Sequence, residues 1–174
     1  MKRLEDYVIT IPDFPEKGIM FRDVTSIIRS KDGLKLAIDE LQKKLETLEF
    51  DKIVAPESRG FIFGMPLAYN LHKGFIPARK KGKLPREVVG EEYELEYGTA
   101  SIEIHKEDIQ PGDKVVIVDD LIATGGTVEA IAKLLEKMGA EVVRIQFLME
   151  LKGLDGRKKL ADYEVDSIIS YEGK

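Results

Sequence analysis

The chain has 174 residues, 43% hydrophobic and 34% charged, with a net charge of −5. A chain of this length buries roughly 70% of the surface its unfolded form exposes, so one domain over residues 1–174 can build a full core without staples. The acidic balance argues against a nucleic-acid partner, which needs a basic face. The absence of cysteine excludes disulfides and thiolate metal sites, and two histidines, His72 and His105, leave little for zinc. No run approaches the roughly 18 apolar residues of a membrane span. Met1-Lys2-Arg3-Leu4-Glu5-Asp6 opens no apolar signal segment. A cytoplasmic protein with no membrane attachment is expected.

Strands are predicted to alternate with helices. Leu34, Ile38, Leu41, Leu45 and Leu48 recur every three or four residues and make one apolar stripe on a helix. Ile53-Val54-Ala55 reads as a strand, followed by a turn and a helical stretch over 62–71, whose Phe61 and Phe63 read as core. Phe75-Ile76-Pro77-Ala78 is a second strand. Val115-Val116-Ile117-Val118 is all β-branched and apolar, which suits a strand buried on both faces of a parallel sheet. Val128, Ile131, Leu134, Leu135 and Met138 mark another helix, with Gly139 where a helix C-terminal glycine belongs. A fourth strand runs over 141–149. Strand, helix, strand in that order predicts right-handed crossovers and an α/β fold with a mainly parallel central sheet flanked by helices.

Residues 79–105 break the pattern. Arg79-Lys80-Lys81-Gly82-Lys83-Leu84-Pro85-Arg86 is basic, and Glu87, Glu91, Glu92, Glu94 and Glu96 then reverse the charge. Tyr93, Leu95 and Tyr97 alternate with Glu94 and Glu96 as in a hairpin strand. So long a charged excursion in a compact domain is usually functional or disordered.

The most informative run follows the third strand, whose end is expected at two adjacent carboxylates, Asp119 and Asp120. Ala123, Thr124, Gly125, Gly126 and Thr127 then form a loop leading into a helix. Ligands of open α/β sheets bind beyond the carboxyl ends of the strands. Glycines let the backbone approach a ligand, and the N–H groups and dipole of a helix start favour an anion such as a phosphate monoester. The two acids suit ribose hydroxyls or a hard cation. A sugar phosphate uses both. The P-loop and dinucleotide glycine motifs are absent.

Residues 115–127 closely resemble the phosphoribosyl pyrophosphate motif of the type I phosphoribosyltransferases: four apolar residues, two acids, a variable pair and a T-G-G-T type loop. That resemblance implies that residues 123–127 hold the 5-phosphate and that Asp119 and Asp120 contact the ribose hydroxyls. In hypoxanthine-guanine members an aspartate precedes the T-G; here Ala123 cannot move a proton, and if the purine needs a general acid or base another carboxylate must reach it. The remaining motifs resemble the adenine-specific branch: Ile11-Pro12-Asp13-Phe14-Pro15, Gly18-Ile19-Met20-Phe21-Arg22-Asp23, Glu57-Ser58-Arg59-Gly60-Phe61-Ile62-Phe63-Gly64, Arg79-Lys80-Lys81-Gly82-Lys83-Leu84-Pro85 and Glu94-Leu95-Glu96-Tyr97-Gly98.

This likeness implies adenine phosphoribosyl transfer in purine salvage. Met20, Phe21 and Arg22 border the base, with Leu151 on its other face. Glu57, Ser58, Arg59 and Gly60 form the pyrophosphate loop, assisted by Arg79 and Lys83. Glu96 is the catalytic residue that manages the purine proton, Tyr97 belongs to a flexible lid over 80–97, and the N-terminal segment forms a small hood. Magnesium held mainly by substrate and water, and a homodimer, are implied with it. Arg86-Glu87-Val88-Val89-Gly90 and Lys81 depart from the pattern, which bears on the lid conformation. His72 and His105 are read as structural or exposed.

Overall fold

The computed structural model describes residues 2–95 and 97–173. Two short strands, β1 (Ile9–Pro12) and β2 (Met20–Asp23), pair antiparallel in a small sheet of their own. Helices α1 (Thr25–Ile28) and α2 (Lys31–Leu45) follow; the Ser30 side chain caps α2 by accepting from Gly33 N at 3.2 Å. Next come β3 (Lys52–Pro56), α3 (Arg59–Asn70), β4 (Gly74–Lys80), β5 (Val88–Glu94), β6 (Thr99–His105), β7 (Lys114–Ile122), α4 (Gly126–Lys137), β8 (Glu141–Leu151), α5 (Gly156–Lys159) and β9 (Val165–Tyr171). The main sheet has seven strands in the order β5-β6-β4-β3-β7-β8-β9. Strands β4, β3, β7, β8 and β9 are parallel, and the β5–β6 hairpin extends the sheet antiparallel from β4.

Central strand β7 explains the two cores. Its side chains alternate. Val115 and Ile117 pack with Val128, Ile131, Leu134 and Leu135 of α4, whereas Val116 and Val118 pack with Leu41 and Leu45 of α2 and Phe63 and Leu67 of α3. The continuous apolar run is therefore needed on both faces. Gly139, at φ +88°, ends α4 in the left-handed conformation expected of it.

Several expectations are corrected. β7 does not stop at the acids but continues to Ile122, because β8 keeps bonding it through Asp119↔Phe147 and Leu121↔Met149. α2 closes at Leu45, and Leu48 sits in the following turn, its N–H donating to Leu45 O at 3.0 Å. β5 ends at Glu94, so Leu95 and Tyr97 lie in the hairpin turn, 50% and 87% exposed. Phe63 is fully buried, but Phe61 is only half-buried, edge-on to Phe75. Strand β9 had no counterpart in the sequence pattern.

The excursion over 79–105 is a paired hairpin with its own anchors. Tyr93 OH receives a hydrogen bond from Thr127 Oγ1 at 3.3 Å, and Lys137 pairs with Glu91. At its base Arg86 binds Asp108 at 2.8 and 2.9 Å beside the buried His105. The Arg86 guanidinium holds the Asp108 carboxyl below its ordinary range against the opposing effect of burial. His72 is exposed.

Candidate active site

The acid pair, the glycine loop and the Glu57–Arg59 turn lie at the carboxyl ends of the parallel strands β7 and β3. Asp120, 3% exposed, accepts from Arg59 Nε at 2.5 Å, a pair joining the end of β7 to the start of α3. Asp119 Oδ1 accepts the Asp120 amide at 2.8 Å. Burial, then the neighbouring Asp120 charge, pushes the Asp119 carboxyl well above the ordinary carboxylate range, and Arg59 offsets only part of this.

Beyond β7 the chain turns sharply. Gly125 has φ +81°, where a side chain is strained, and its Cβ would stand 2.8 Å from Gly156 O. The start of the 12-residue α4 lines a small cavity of about 120 Å³, walled by residues 121–128 with Asp119 and Phe147. The amides of a helix start, the Thr124 and Thr127 hydroxyls and the helix dipole together can form an anion cradle.

The turn from β3 to α3 forms the facing wall, where the Glu57–Ser58 peptide is cis. Gly60 is pressed close: a Cβ would lie 2.9 Å from Pro56 Cδ and 3.0 Å from Asp119 Oδ1. Glu57 accepts from Lys80 N at 2.7 Å and from Lys83 Nζ at 3.3 Å, with Arg79 Nε 3.4 Å away. Burial raises the Glu57 carboxyl, but the Lys80 amide, Lys83 and Arg79 outweigh it and hold the group below its usual range. Glu57 thus orients Arg79 and Lys83 rather than receiving an anion itself. Arg79 Nε is buried without a hydrogen-bond partner among the described residues, so its guanidinium has donor capacity to spare.

These walls enclose a cavity of about 360 Å³ lined by Pro56, Glu57, Ser58, Arg59, Lys80, Asp119, Asp120 and Thr127. It shares Asp119 and Thr127 with the anion cradle. Larger hollows lie elsewhere, one of about 580 Å³ beside Val89, Ile109 and Met138. Convergent polar groups identify a site better than volume does, and they are found in the two smaller cavities.

Met20, Phe21 and Arg22 lie on β2, and the small sheet brings them to the same end of the main sheet. The Arg22 guanidinium stacks 4.2 Å over the Tyr171 ring, and Tyr171 is the register partner of Leu151 on β8. Met20 is 41% exposed and Leu151 half-buried, which leaves apolar surface on both. The expected catalytic residue, Glu96, lies outside the described residues.

Sequence reasoning missed four contributors. Tyr93 and Tyr171 carry no motif of their own, and Lys80 lies in the basic motif but acts through its backbone amide, which no side-chain pattern reveals. Gly156 backs the loop of residues 123–127 from more than 30 positions beyond Gly125, and no local pattern points to it.

Strand, acid pair, glycine loop and helix, facing a second basic loop, are the layout of a phosphoribosyl-transfer site. Consistently, the family model described as phosphoribosyl transferase domain matches residues 23–173. A Lachnoclostridium phytofermentans protein named adenine phosphoribosyltransferase is 67% identical over 174 residues, all of both chains. The crystal structure of adenine phosphoribosyltransferase from Thermoanaerobacter pseudethanolicus is 53% identical, covers 97% of this chain and 100% of that one, and superposes with a TM-score of 0.91. The Saccharomyces cerevisiae enzyme, solved with an imino-altritol bisphosphate and adenine, is 42% identical over 94% of this chain and 95% of its own, with a TM-score of 0.87. The chain belongs to the phosphoribosyltransferase family and, within it, to the adenine phosphoribosyltransferases.

Proposed function

We propose that this protein transfers the 5-phosphoribosyl group of phosphoribosyl pyrophosphate to adenine, giving AMP and pyrophosphate, in cytoplasmic purine salvage. The observation that carries the proposal is the pair of joined cavities: an anion cradle on one side of Asp119 and Thr127, a basic loop on the other. A ribose with a phosphate at one end and a pyrophosphate at the other spans such a pair.

In this reading Ala123, Thr124, Gly125, Gly126 and Thr127 hold the 5-phosphate. Asp119 and Asp120 accept from the ribose hydroxyls. Residues 57–60, with Arg59, Arg79 and Lys83, receive the pyrophosphate. Adenine lies between Met20, Phe21 and Arg22 on one side and Leu151 on the other. Its N9 attacks the ribose carbon opposite the leaving pyrophosphate, through an oxocarbenium-like state and with inversion. Glu96 takes up the purine proton, and closure of the segment 80–97 keeps water from competing. An enzyme carrying Glu96→Gln with unchanged kcat would end that role.

Magnesium fits the donor set. Among the described residues no group of three or more His, Asp or Glu gathers to cage a metal, while Asp119 and Asp120 lie beside the cavity where the pyrophosphate and ribose oxygens would stand. Magnesium keeps several waters and prefers one or two carboxylates plus substrate phosphates. When bound, it neutralises charge on the pyrophosphate.

The assembly we propose is a homodimer. Ile62, Met65 and Tyr69 form an exposed stripe on α3, 37%, 55% and 82% accessible, and such a stripe marks an association surface. Met65→Asp is expected to give a monomer at micromolar concentration by sedimentation velocity; a persisting dimer would place the interface elsewhere.

The deciding experiment is pyrophosphate release from phosphoribosyl pyrophosphate and magnesium, with adenine, hypoxanthine, guanine and xanthine supplied separately. Release with adenine alone is expected. Release with an oxopurine would overturn the assignment of the base.

A further inference from the structure

The Gly156 turn is wedged behind the anion loop with no slack. A Cβ on Gly156 would stand 2.4 Å from Ala123 O and 2.8 Å from Ile122 Cγ1, and one on Gly125 would stand 2.8 Å from Gly156 O. The two backbones interlock at the strand end where the loop begins. Gly156 does not have a positive φ, so contact, not conformation, is what demands a glycine there.

That turn opens α5, only four residues long, too short to hold itself in place. Leu160 buries its end in the core, and Arg157 ties it to the sheet. Its Nε and one terminal nitrogen donate to the two oxygens of Glu150 at 2.7 and 2.8 Å. Its other terminal nitrogen donates to Val165 O at 2.8 Å. Glu150, 5% exposed, also accepts from Ser167 Oγ at 2.9 Å. One guanidinium thus fastens the turn to β8 and β9 together. Bidentate arginine–carboxylate pairs fix geometry as well as contributing energy. The hydrogen bonds from Arg157, the largest influence, hold the Glu150 carboxyl below its usual range against burial, so the pair stays charged near neutral pH.

We infer that Arg157 and Glu150 are positioning residues for the sugar-phosphate site: through Gly156 they set where the amides of residues 123–127 point. This rests on the assignment of those residues to the 5-phosphate. Misplacing reacting or binding groups by about 1 Å can cost up to about a hundredfold.

The test is Gly156→Ala, whose methyl must push on the Ala123 carbonyl. KM for phosphoribosyl pyrophosphate should rise about tenfold, the loss of one charge-assisted hydrogen bond. KM for adenine and kcat at saturation should stay within about twofold, and ribose 5-phosphate should bind correspondingly more weakly by calorimetry. Arg157→Lys, which keeps the charge but loses the fork, should shift the same constants in the same direction, and it carries the test if Gly156→Ala does not fold. A purely structural pair would lower the melting temperature and leave the phosphate-dependent constants alone; that result overturns the inference. Thr124→Ala serves as the reference. If it leaves ribose 5-phosphate binding unchanged, the assignment of the loop fails. If it weakens binding while the other two variants do not, only the positioning role fails.

Discussion

Asp119→Asn should make the protein more stable near neutral pH while costing about a hundredfold in kcat/KM for phosphoribosyl pyrophosphate. The stability gain follows from the raised Asp119 carboxyl, whose burial and neighbouring Asp120 charge disfavour ionisation. The unfolded chain ionises this group at its ordinary value; the folded chain holds the proton to higher pH. The group's favourable contribution is therefore full below the unfolded value, declines as pH rises toward the folded one, and is wholly lost above it. Asparagine keeps the shape and never ionises. Relative to the wild type, the variant should gain nothing at acid pH and most at neutral pH. A gain of order 1 kcal/mol corresponds to roughly 2–4 °C for a chain of this size. The activity loss expected in the proposed reading follows from the same side chain, since an amide nitrogen in place of an accepting oxygen leaves a ribose hydroxyl unpaired, at about 1–3 kcal/mol. Melting temperatures between pH 4 and 8, with kinetics at neutral pH, check both halves. A variant no more stable than wild type at neutral pH would mean that Asp119 is not held under electrostatic stress.

Such a trade was half legible in the sequence. The apolar runs of β3, β7 and β8 and the stripes of α2, apart from Leu48, and α4 read correctly, because burial on two faces of a sheet, or on one face of a helix, dictates composition along the element. The loop of residues 123–127 was equally visible, because its left-handed turn and its close packing against Gly156 need a glycine at residue 125. The strand end was misjudged because charge looks like a boundary, whereas hydrogen bonds from β8 carry β7 through both aspartates to Ile122. Strand β9 (VDSIISY) lies at the sheet edge and is mostly only half-buried, so it mixes polar and apolar residues and shows no clear period. Helix α5 spans a single turn, which cannot display periodicity at all. Long-range pairs were beyond reach for a different reason: nothing local in Arg59 points to Asp120, 61 positions away, and nothing in Arg157 points to the back of the anion loop.

Arg59 is where that long-range pairing bears on turnover. In this structure its guanidinium is engaged by Asp120. That contact uses Nε alone, and a guanidinium has four further N–H donors to offer a pyrophosphate. In the proposed reading, phosphoribosyl pyrophosphate draws the Arg59 guanidinium toward the leaving group and loosens its hold on Asp120, which then accepts from ribose hydroxyls. Arg59→Ala should lower kcat/KM by about 10²–10³, the usual cost of deleting one donor aimed at developing negative charge. It should also lower the melting temperature, because Asp120 is left 3% exposed and without its cation. Arg59 itself is about half exposed, so solvent screening limits that effect to about 1 kcal/mol. Arg59→Lys separates the two roles. An ammonium can still neutralise Asp120 and recover most of the stability, but it lacks the fork that matches a phosphate, so activity should stay well below wild type. Measured together, melting temperature and kcat/KM should part company in the lysine variant. If both recover together, charge alone is what the site needs from residue 59, and the partner exchange does not limit binding.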